Sequence, residues 1–462
     1  MDSLQKLTRL LLLVAAYSLA LFIILAWLGV APLAAGAIAV AIGGGGAVAL
    51  DYLQSTAREA DTPARIRIGD IPVPREIEGR HFLIAGTTGA GKSQAIYGMV
   101  RDARARGDRG LVMDVGGAYV SRFLKPGDLI LSPGDARSVS WNPFLDIQDA
   151  FDFSNLAKSV IPDGQGPDAS WHNYGQGLFA EVLRALHTQG DYSISRLLHF
   201  VGQAEPEELR PLLAGSPAAI LTQKGQEKML GNTRAIISNY LLPWSFLPDG
   251  GSFSIKDWIR SSPGDQWLFV SYRDNQIAAL RQLLSCWLQL AINETLSLDE
   301  RAARPTFFIA DEFDTLGKVA AKDALTKLRK YKGSCVFGLQ SVSQLRATYG
   351  RDEAQTLLAC LSSKLYLRQG DPETAKYCSD DLGQAQILRT EKSSSKRKGL
   401  GGDGNETAAE RHVTEALVLP SELQNLPDLD AFLSLAGDYP IARVQIPIPR
   451  LPRVAEPFVV QA

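Results

Sequence analysis

Cysteine is scarce: Cys286, Cys335, Cys360 and Cys378 are the only four in 462 residues. None forms a CxxC pair, and no spacing among them matches a zinc pattern. Nothing therefore points to a disulfide scaffold or a thiolate metal centre, and the plain reading is four reduced, mostly buried thiols. A surplus of one charge sign is also missing. Lys and Arg total 48 against 50 Asp and Glu, for a formal net charge of −2. That balance rules out a uniformly basic, histone-like or tail-driven nucleic-acid binder but leaves room for a local basic channel. The composition of disorder is absent too. With 45% hydrophobic and 21% charged residues, the chain can bury at least one large core.

Charge is altogether absent from Leu10 to Leu50. A bilayer core takes about 20 apolar residues per helix, and this block fits two. Leu10–Leu28 is strongly apolar, whereas Leu33–Leu50 is richer in Ala and Gly and includes Gly43 to Gly46 in a row. Gly29-Val30-Ala31-Pro32 supplies the turn, because proline interrupts the helical hydrogen-bond ladder. Small residues let the two helices approach closely. Lys6 and Arg9 before the block and Arg58 after it place both ends in the cytoplasm by the positive-inside rule. A single anchor or a cleaved secretory signal accounts for the block less well. The first run is longer than a usual signal core, and the second would have no role.

Residues 51–65 read as a linker. From Ile66 to about residue 145 the texture is that of an α/β domain. Arg65–Gly69 alternates like a short strand, His81–Ala85 is a short apolar run, Ser93–Arg106 is helical, and Gly110–Asp114 is a second buried strand ending in a carboxylate. Strand, helix, strand at this spacing is a βαβ unit. Residues 146–265 are helical in pattern and somewhat acidic, with nine Lys or Arg against thirteen Asp or Glu from Asp146 to Ser262. This is an all-α insertion, and its charge is not that of a nonspecific DNA grip. The α/β texture returns over 266–450, with strands expected at Gln266–Val270, Thr306–Ala310, Cys335–Leu339 and Leu365–Leu367. A terminal antiparallel pair, Ala431–Leu435 and Ala442–Ile446, follows. The stretch Thr390–His412 is Ser/Lys/Gly-rich, poor in apolar residues and reads as a mobile loop. Residues 451–462 form a tail.

The chemistry is concentrated in a few short motifs. Gly86-Thr87-Thr88-Gly89-Ala90-Gly91-Lys92-Ser93 is a complete GxxxxGK[ST] phosphate-binding loop, following an apolar strand and opening a helix as that motif requires. Its glycines let backbone N–H groups turn toward phosphate oxygens, and the helix N-terminus adds positive potential. Lys92 would contact the β and γ phosphates of ATP, and the Ser93 hydroxyl would bind Mg²⁺, which demands oxygen ligands. Phe307-Phe308-Ile309-Ala310-Asp311-Glu312 is an apolar strand ending in two carboxylates. Asp311 would hold Mg²⁺, largely through its waters, and Glu312 would orient and deprotonate the attacking water. Gln340, at the end of the next apolar run, could reach both the γ-phosphate and that water. Arg329, 18 positions after Asp311, is either a solvated cation beside Lys327 and Lys330 or an arginine finger acting across a subunit interface.

Together these motifs resemble the conjugative coupling proteins of the TraD and TrwB type, within the wider FtsK/HerA-like group of hexameric DNA-pumping ATPases. The resemblance is carried by HFLIAGTTGAGKSQ (81–94), ILSPGDARSVSWNPF (130–144), FFIADEFDTLGK (307–318), LRKYKGSCVFGLQSVSQLRATYG (328–350) and LQNLPDLDAFLSLAGDYP (423–440). It implies a RecA-like P-loop NTPase domain with an inserted all-α domain and an N-terminal two-helix transmembrane hairpin. It also implies a homohexamer at the bacterial inner membrane, ATP hydrolysis, and binding of DNA, most readily single-stranded, with little sequence preference. Such proteins deliver a relaxase-bound strand to a type IV secretion channel. On this chain Lys92 and Ser93 match the family's phosphate-loop pair, Asp311 and Glu312 its acidic pair, Gln340 its γ-phosphate sensor and Arg329 its trans-acting arginine. The chain departs from the family at Asp314, where proline is common, in the near absence of a segment between the membrane helices, and in lacking a long acidic C-terminal extension. Lys392, Lys396, Arg397 and Lys398 form a candidate DNA-contacting loop or simply a solvated one. Two other functions fit the same motifs: a secretion receptor for protein effectors without DNA transfer, and a membrane assembly scaffold ordered by nucleotide.

Overall fold

The computed structural model describes residues 65–164, 169–319, 322–395 and 405–460. The expected membrane hairpin (1–50), nearly all of the linker after it, and the basic Lys396, Arg397 and Lys398 lie outside them. Among the described residues no helix is long and apolar enough to cross a membrane.

A nine-stranded sheet forms the centre. Its strands are β3 (Phe82–Ala85), β4 (Arg109–Val115), β5 (Leu129–Leu131), β6 (Trp267–Tyr272), β7 (Thr306–Ala310), β8 (Gly333–Leu339), β9 (Ser363–Tyr366), β12 (Asp430–Ser434) and β13 (Ala442–Gln445), in the spatial order β13-β12-β9-β3-β8-β7-β4-β6-β5. From β9 to β5 all pairs are parallel, and β12 and β13 close one edge antiparallel. Parallel strands are covered on both faces, which is why β3, β7 and β8 read as unbroken apolar runs. Successive residues still serve opposite faces. Leu83 and Ala85 join one buried cluster, and Phe82 and Ile84 join the other.

The order of the strands positions the site. The strand that leads into the phosphate loop, β3, and the strand that ends at Asp311, β7, are not neighbours; β8 runs between them. Gly338 makes that packing possible, since a Cβ there would lie 1.9 Å from the Asp311 carbonyl oxygen.

Between β5 and β6 the chain is helical: α2 (Asp152–Val160), α3 (Ala169–Thr188), α4 (Ile194–Gly202), α5 (Pro206–Leu213), α6 (Glu227–Leu241) and α7 (Ile255–Ser261). α1 is the helix after the phosphate loop (Lys92–Ala105), and α8 (Ile277–Thr295) follows β6. The helical segment is continuous with the sheet's core rather than a separate bead. Trp141, just after β5, meets Trp244 of the helical segment and Trp287 of α8, with ring centroids 5.2 and 5.7 Å apart. All three are fully buried. A buried ion-pair set ties the same junction, with Lys256 of α7 between Asp152 of α2 and Glu294 of α8.

Two regions differ from the sequence expectation. Thr390–His412, read as a mobile loop, contributes instead to a long antiparallel hairpin, β10 (Gln384–Ser395) with β11 (Asn405–Ala416). Its sequence lacks the apolar alternation of a half-buried strand, and among the described strands the two pair only with each other. The short strand expected at Arg65–Gly69 is a tight hairpin, β1 (Arg67–Ile68) with β2 (Ile71–Pro72).

After β13 the chain runs as an extended, proline-rich strap across the ends of the parallel strands. The Val454 amide donates to the Ser121 carbonyl at 2.7 Å, Ala136 donates to Val459 at 2.8 Å, and the Arg273 guanidinium lies 4.2 Å over the Phe458 ring. The carbonyl of Pro457 sits on Gly117, whose φ is +69°, and a Cβ there would come within 2.1 Å of that oxygen.

Candidate nucleotide-binding site

The loop Gly86–Gly91 leaves the carboxyl end of β3, and α1 begins at Lys92. Gly89 and Gly91 adopt φ of +80° and +114°, a region that side chains rarely enter, so glycine is required by backbone geometry at these two positions. The loop is moored by three backbone bonds from outside and one within it. Gly86 donates to Leu339 (3.1 Å) and Thr87 to Arg368 (2.8 Å); Ala90 closes onto Thr87 (3.2 Å) and receives Leu429 (2.9 Å). No side chain caps α1, which leaves its first amides for an anion.

Lys92 is 7% exposed, and its ammonium donates to the Gly86 carbonyl at 2.8 Å, spanning the loop. Burial lowers its pKa, and the carboxylates of Asp311, Asp314 and Glu312 oppose that shift. One buried cation therefore faces three acids.

Asp311 is 8% exposed. Its Oδ2 accepts from the Tyr119 hydroxyl at 3.2 Å, while Oδ1 is buried with no donor in hydrogen-bonding geometry. Burial raises its pKa, and the Ser93 hydroxyl, Lys92 and Tyr119 pull the other way. A buried carboxylate oxygen without a donor, facing a serine hydroxyl, suits a hard cation that prefers oxygen ligands. Glu312 is half-buried. Desolvation and the neighbouring Asp311 raise its pKa, and Lys92 lowers it.

Gln340, at the carboxyl end of β8, joins the two motifs. Its Nε2 donates to Glu312 Oε1 at 3.3 Å, and its Oε1 accepts from Thr88 Oγ1 at 3.4 Å. The residues enclose a cavity of about 420 Å³, lined on its far side by Asp428, Leu429 and Ile448. That volume lies within the range of small-molecule sites.

Of the residues singled out from sequence, Gly86 to Ser93, Asp311, Glu312 and Gln340 come together here. Arg329 does not. It sits in a 3₁₀ turn just before β8, with its Cγ 3.1 Å from where a Cβ on Gly79 would lie, beside a separate cavity shared with Arg75 and Lys332. At about 3.3 Å per residue the seven residues of β8 separate the two ends by about 20 Å. Lys392 lies on β10.

Sequence reasoning missed several residues. Tyr119 and Asp114 are the clearest. Asp114, at the end of β4, is wholly buried and accepts from the Tyr119 and Val120 amides at 2.9 and 2.8 Å, fixing the turn that presents Tyr119 to Asp311. Burial pushes Asp114 up to about 7. Its signal was a strand-end carboxylate followed by two glycines. Leu429 lies in the 423–440 stretch that carries the resemblance but bears no chemistry of its own, and Ile448 had no signal.

A family model described as "Type IV secretion-system coupling protein DNA-binding domain" matches residues 65–447. The chain belongs to the type IV secretion-system coupling protein family. Coupling protein TraD of Escherichia coli (strain K12) is 33% identical over 403 residues, covering 85% of this chain and 56% of that protein. The chain thus spans about half the length of this relative. Among solved structures, the bacterial conjugative coupling protein TrwBdeltaN70 in its unbound monoclinic form superimposes with a TM-score of 0.79 at 34% identity, over 87% of this chain and 92% of that one. TrwB in complex with ADP and Mg²⁺ matches with a TM-score of 0.78 at 34% identity, over 86% and 92%. The family's P-loop NTPase fold is therefore the fold of the described residues.

Proposed function

We propose that this family member is an ATP-driven coupling ATPase of the bacterial inner membrane. It binds DNA and delivers a relaxase-bound strand to a type IV secretion channel. The observation that carries this reading is the convergence of Lys92, Asp311, Glu312 and Gln340 on one cavity at the carboxyl ends of β3, β7 and β8. Ligands of open α/β sheets bind at this edge. Nucleotide and Mg²⁺ in the TrwB complex support the same assignment.

In this reading the loop amides and Lys92 hold the β and γ phosphates. Ser93 and Asp311 would hold Mg²⁺, whose positive charge neutralises phosphate oxygens as the leaving group departs. Glu312 takes a proton from the attacking water as its oxygen bonds to the γ-phosphorus and the bond to the β–γ bridging oxygen breaks. Its raised pKa makes it the better acceptor. Gln340, bonded to both Glu312 and Thr88, registers the presence of the γ-phosphate. Arg329, remote from its own chain's site, acts on a neighbour's site in a homohexamer. The uncharged block from Leu10 to Leu50 supports a two-helix anchor with both ends in the cytoplasm.

The test is ATP hydrolysis by the full chain in detergent, with and without single-stranded DNA. The proposal expects turnover, DNA stimulation, and DNA binding that weakens steeply with salt. Turnover that DNA leaves unchanged would favour a receptor for protein effectors, and binding of ATP without turnover would favour a scaffold.

A further inference from the structure

The side-chain bonds that hold Gln340 between Thr88 and Glu312 are long, at 3.4 and 3.3 Å. Something else must fix where that side chain begins. Asp314 lies in the 3₁₀ turn Phe313–Thr315 directly after the acidic pair and is 3% exposed. Its Oδ2 accepts from two successive backbone amides, Gln340 at 3.0 Å and Ser341 at 3.3 Å. Its own carbonyl accepts from Gln344 Nε2 at 3.3 Å, in the helix Val342–Tyr349 that follows. The turn is pressed against β8 by Phe313 stacked on Phe337, with centroids 4.2 Å apart and planes 3° from parallel. One carboxylate oxygen thus holds two successive amides at the end of β8, and the Gln344 bond and the ring stack tie the same turn to the same place.

We infer that Asp314 is a positioning residue for ATP hydrolysis: its carboxylate clamps the Gln340 and Ser341 amides, so that the Gln340 side chain is held between the phosphate loop and Glu312. The inference rests on the hydrolytic reading of the site. Asp314 need not touch nucleotide. Its bonds reach the backbone of Gln340, so losing them loosens the sensor, and Asp314→Asn, which keeps the acceptor but removes the charge facing Lys92, separates this from a charge effect on the phosphate loop.

The experiment compares Asp314→Ala, Asp314→Asn, Gln340→Ala and the Asp314→Ala/Gln340→Ala double variant in the full chain. It records kcat and KM for ATP, together with thermal melting. Asp314→Ala is expected to lower kcat about tenfold with KM changed less than about twofold. Asp314→Asn, whose amide oxygen still accepts both N–H groups, recovers most of the loss. The double variant is no slower than Gln340→Ala, because both changes remove one interaction. Should Asp314→Ala fail to fold, Asp314→Leu, similar in shape but without an acceptor oxygen, carries the same non-additivity test. A folded Asp314→Ala variant with wild-type kcat, or losses that multiply in the double variant, would overturn the inference. A Gln340→Ala variant with full activity would instead overturn the reading of the site itself.

Discussion

Tyr119 donates its hydroxyl hydrogen to Asp311 Oδ2 at 3.2 Å across the space between the turn after β4 and the end of β7. The bond occupies one carboxylate oxygen and leaves the other, Oδ1, buried without a donor. Tyr119 is fixed in turn by Asp114, which grips the Tyr119 and Val120 amides. A buried carboxylate is thus oriented by an aromatic residue nearly two hundred positions earlier in the chain.

Tyr119→Phe keeps the ring packing against Tyr97, at a centroid distance of 4.9 Å, and removes only the hydroxyl. Asp311 then loses its orienting donor. The Mg²⁺ concentration giving half-maximal hydrolysis is expected to rise about threefold or more, since partners that orient a ligand commonly contribute at least that much to affinity. A Mg²⁺ titration of the ATPase rate checks it.

Gly117 lies beneath the C-terminal strap. Its left-handed backbone and the Pro457 oxygen lying over it leave no room for a side chain. Gly117→Ala is expected to lower stability by about 1–3 kcal/mol and to lift the strap. The change is read by thermal melting and by faster proteolysis after Leu451.

A pH dependence follows from Asp146, at the junction of the helical segment with the sheet. It is fully buried and accepts from Trp141 Nε1, Ser254 Oγ and the Lys256 amide. Burial nevertheless raises it from 3.8 to about 6. The folded state therefore binds this proton more tightly than the unfolded chain. The stability it contributes is complete below about pH 4 and is lost as pH rises through 6. Wild type should lose melting temperature relative to Asp146→Asn between about pH 4 and 6 and level off above that. A pH-independent difference between the two would contradict this.

Much of the site was legible before the fold was known. The phosphate loop, Asp311–Glu312 and Gln340 each follow an apolar run, and parallel strands buried on both faces announce themselves in that way. What a linear reading could not supply was adjacency. That β8 falls between β3 and β7 places Gln340 against both Thr88 and Glu312, and no spacing encodes it. Asp314 stood out only as a departure from a common proline, because its partners lie 26 and 27 positions away. The β10–β11 hairpin was missed because its strands carry no alternating apolar face, and the strap because proline-rich extended chain looks the same whether docked or free.

In the proposed composite site, Lys92, Asp311, Glu312 and Gln340 come from one subunit and Arg329 from the next. The most direct test mixes two inactive variants, Arg329→Ala and Glu312→Gln, and follows ATP hydrolysis across mixing ratios. A site formed by an Arg329→Ala subunit beside a Glu312→Gln subunit has every group it needs, and at equal ratio random assembly makes roughly a quarter of interfaces complete. Activity that is absent at either extreme and highest near equal mixing is the predicted result. Co-assembled rings with no hydrolysis at any ratio, or an Arg329→Ala protein that is fully active alone, would contradict it.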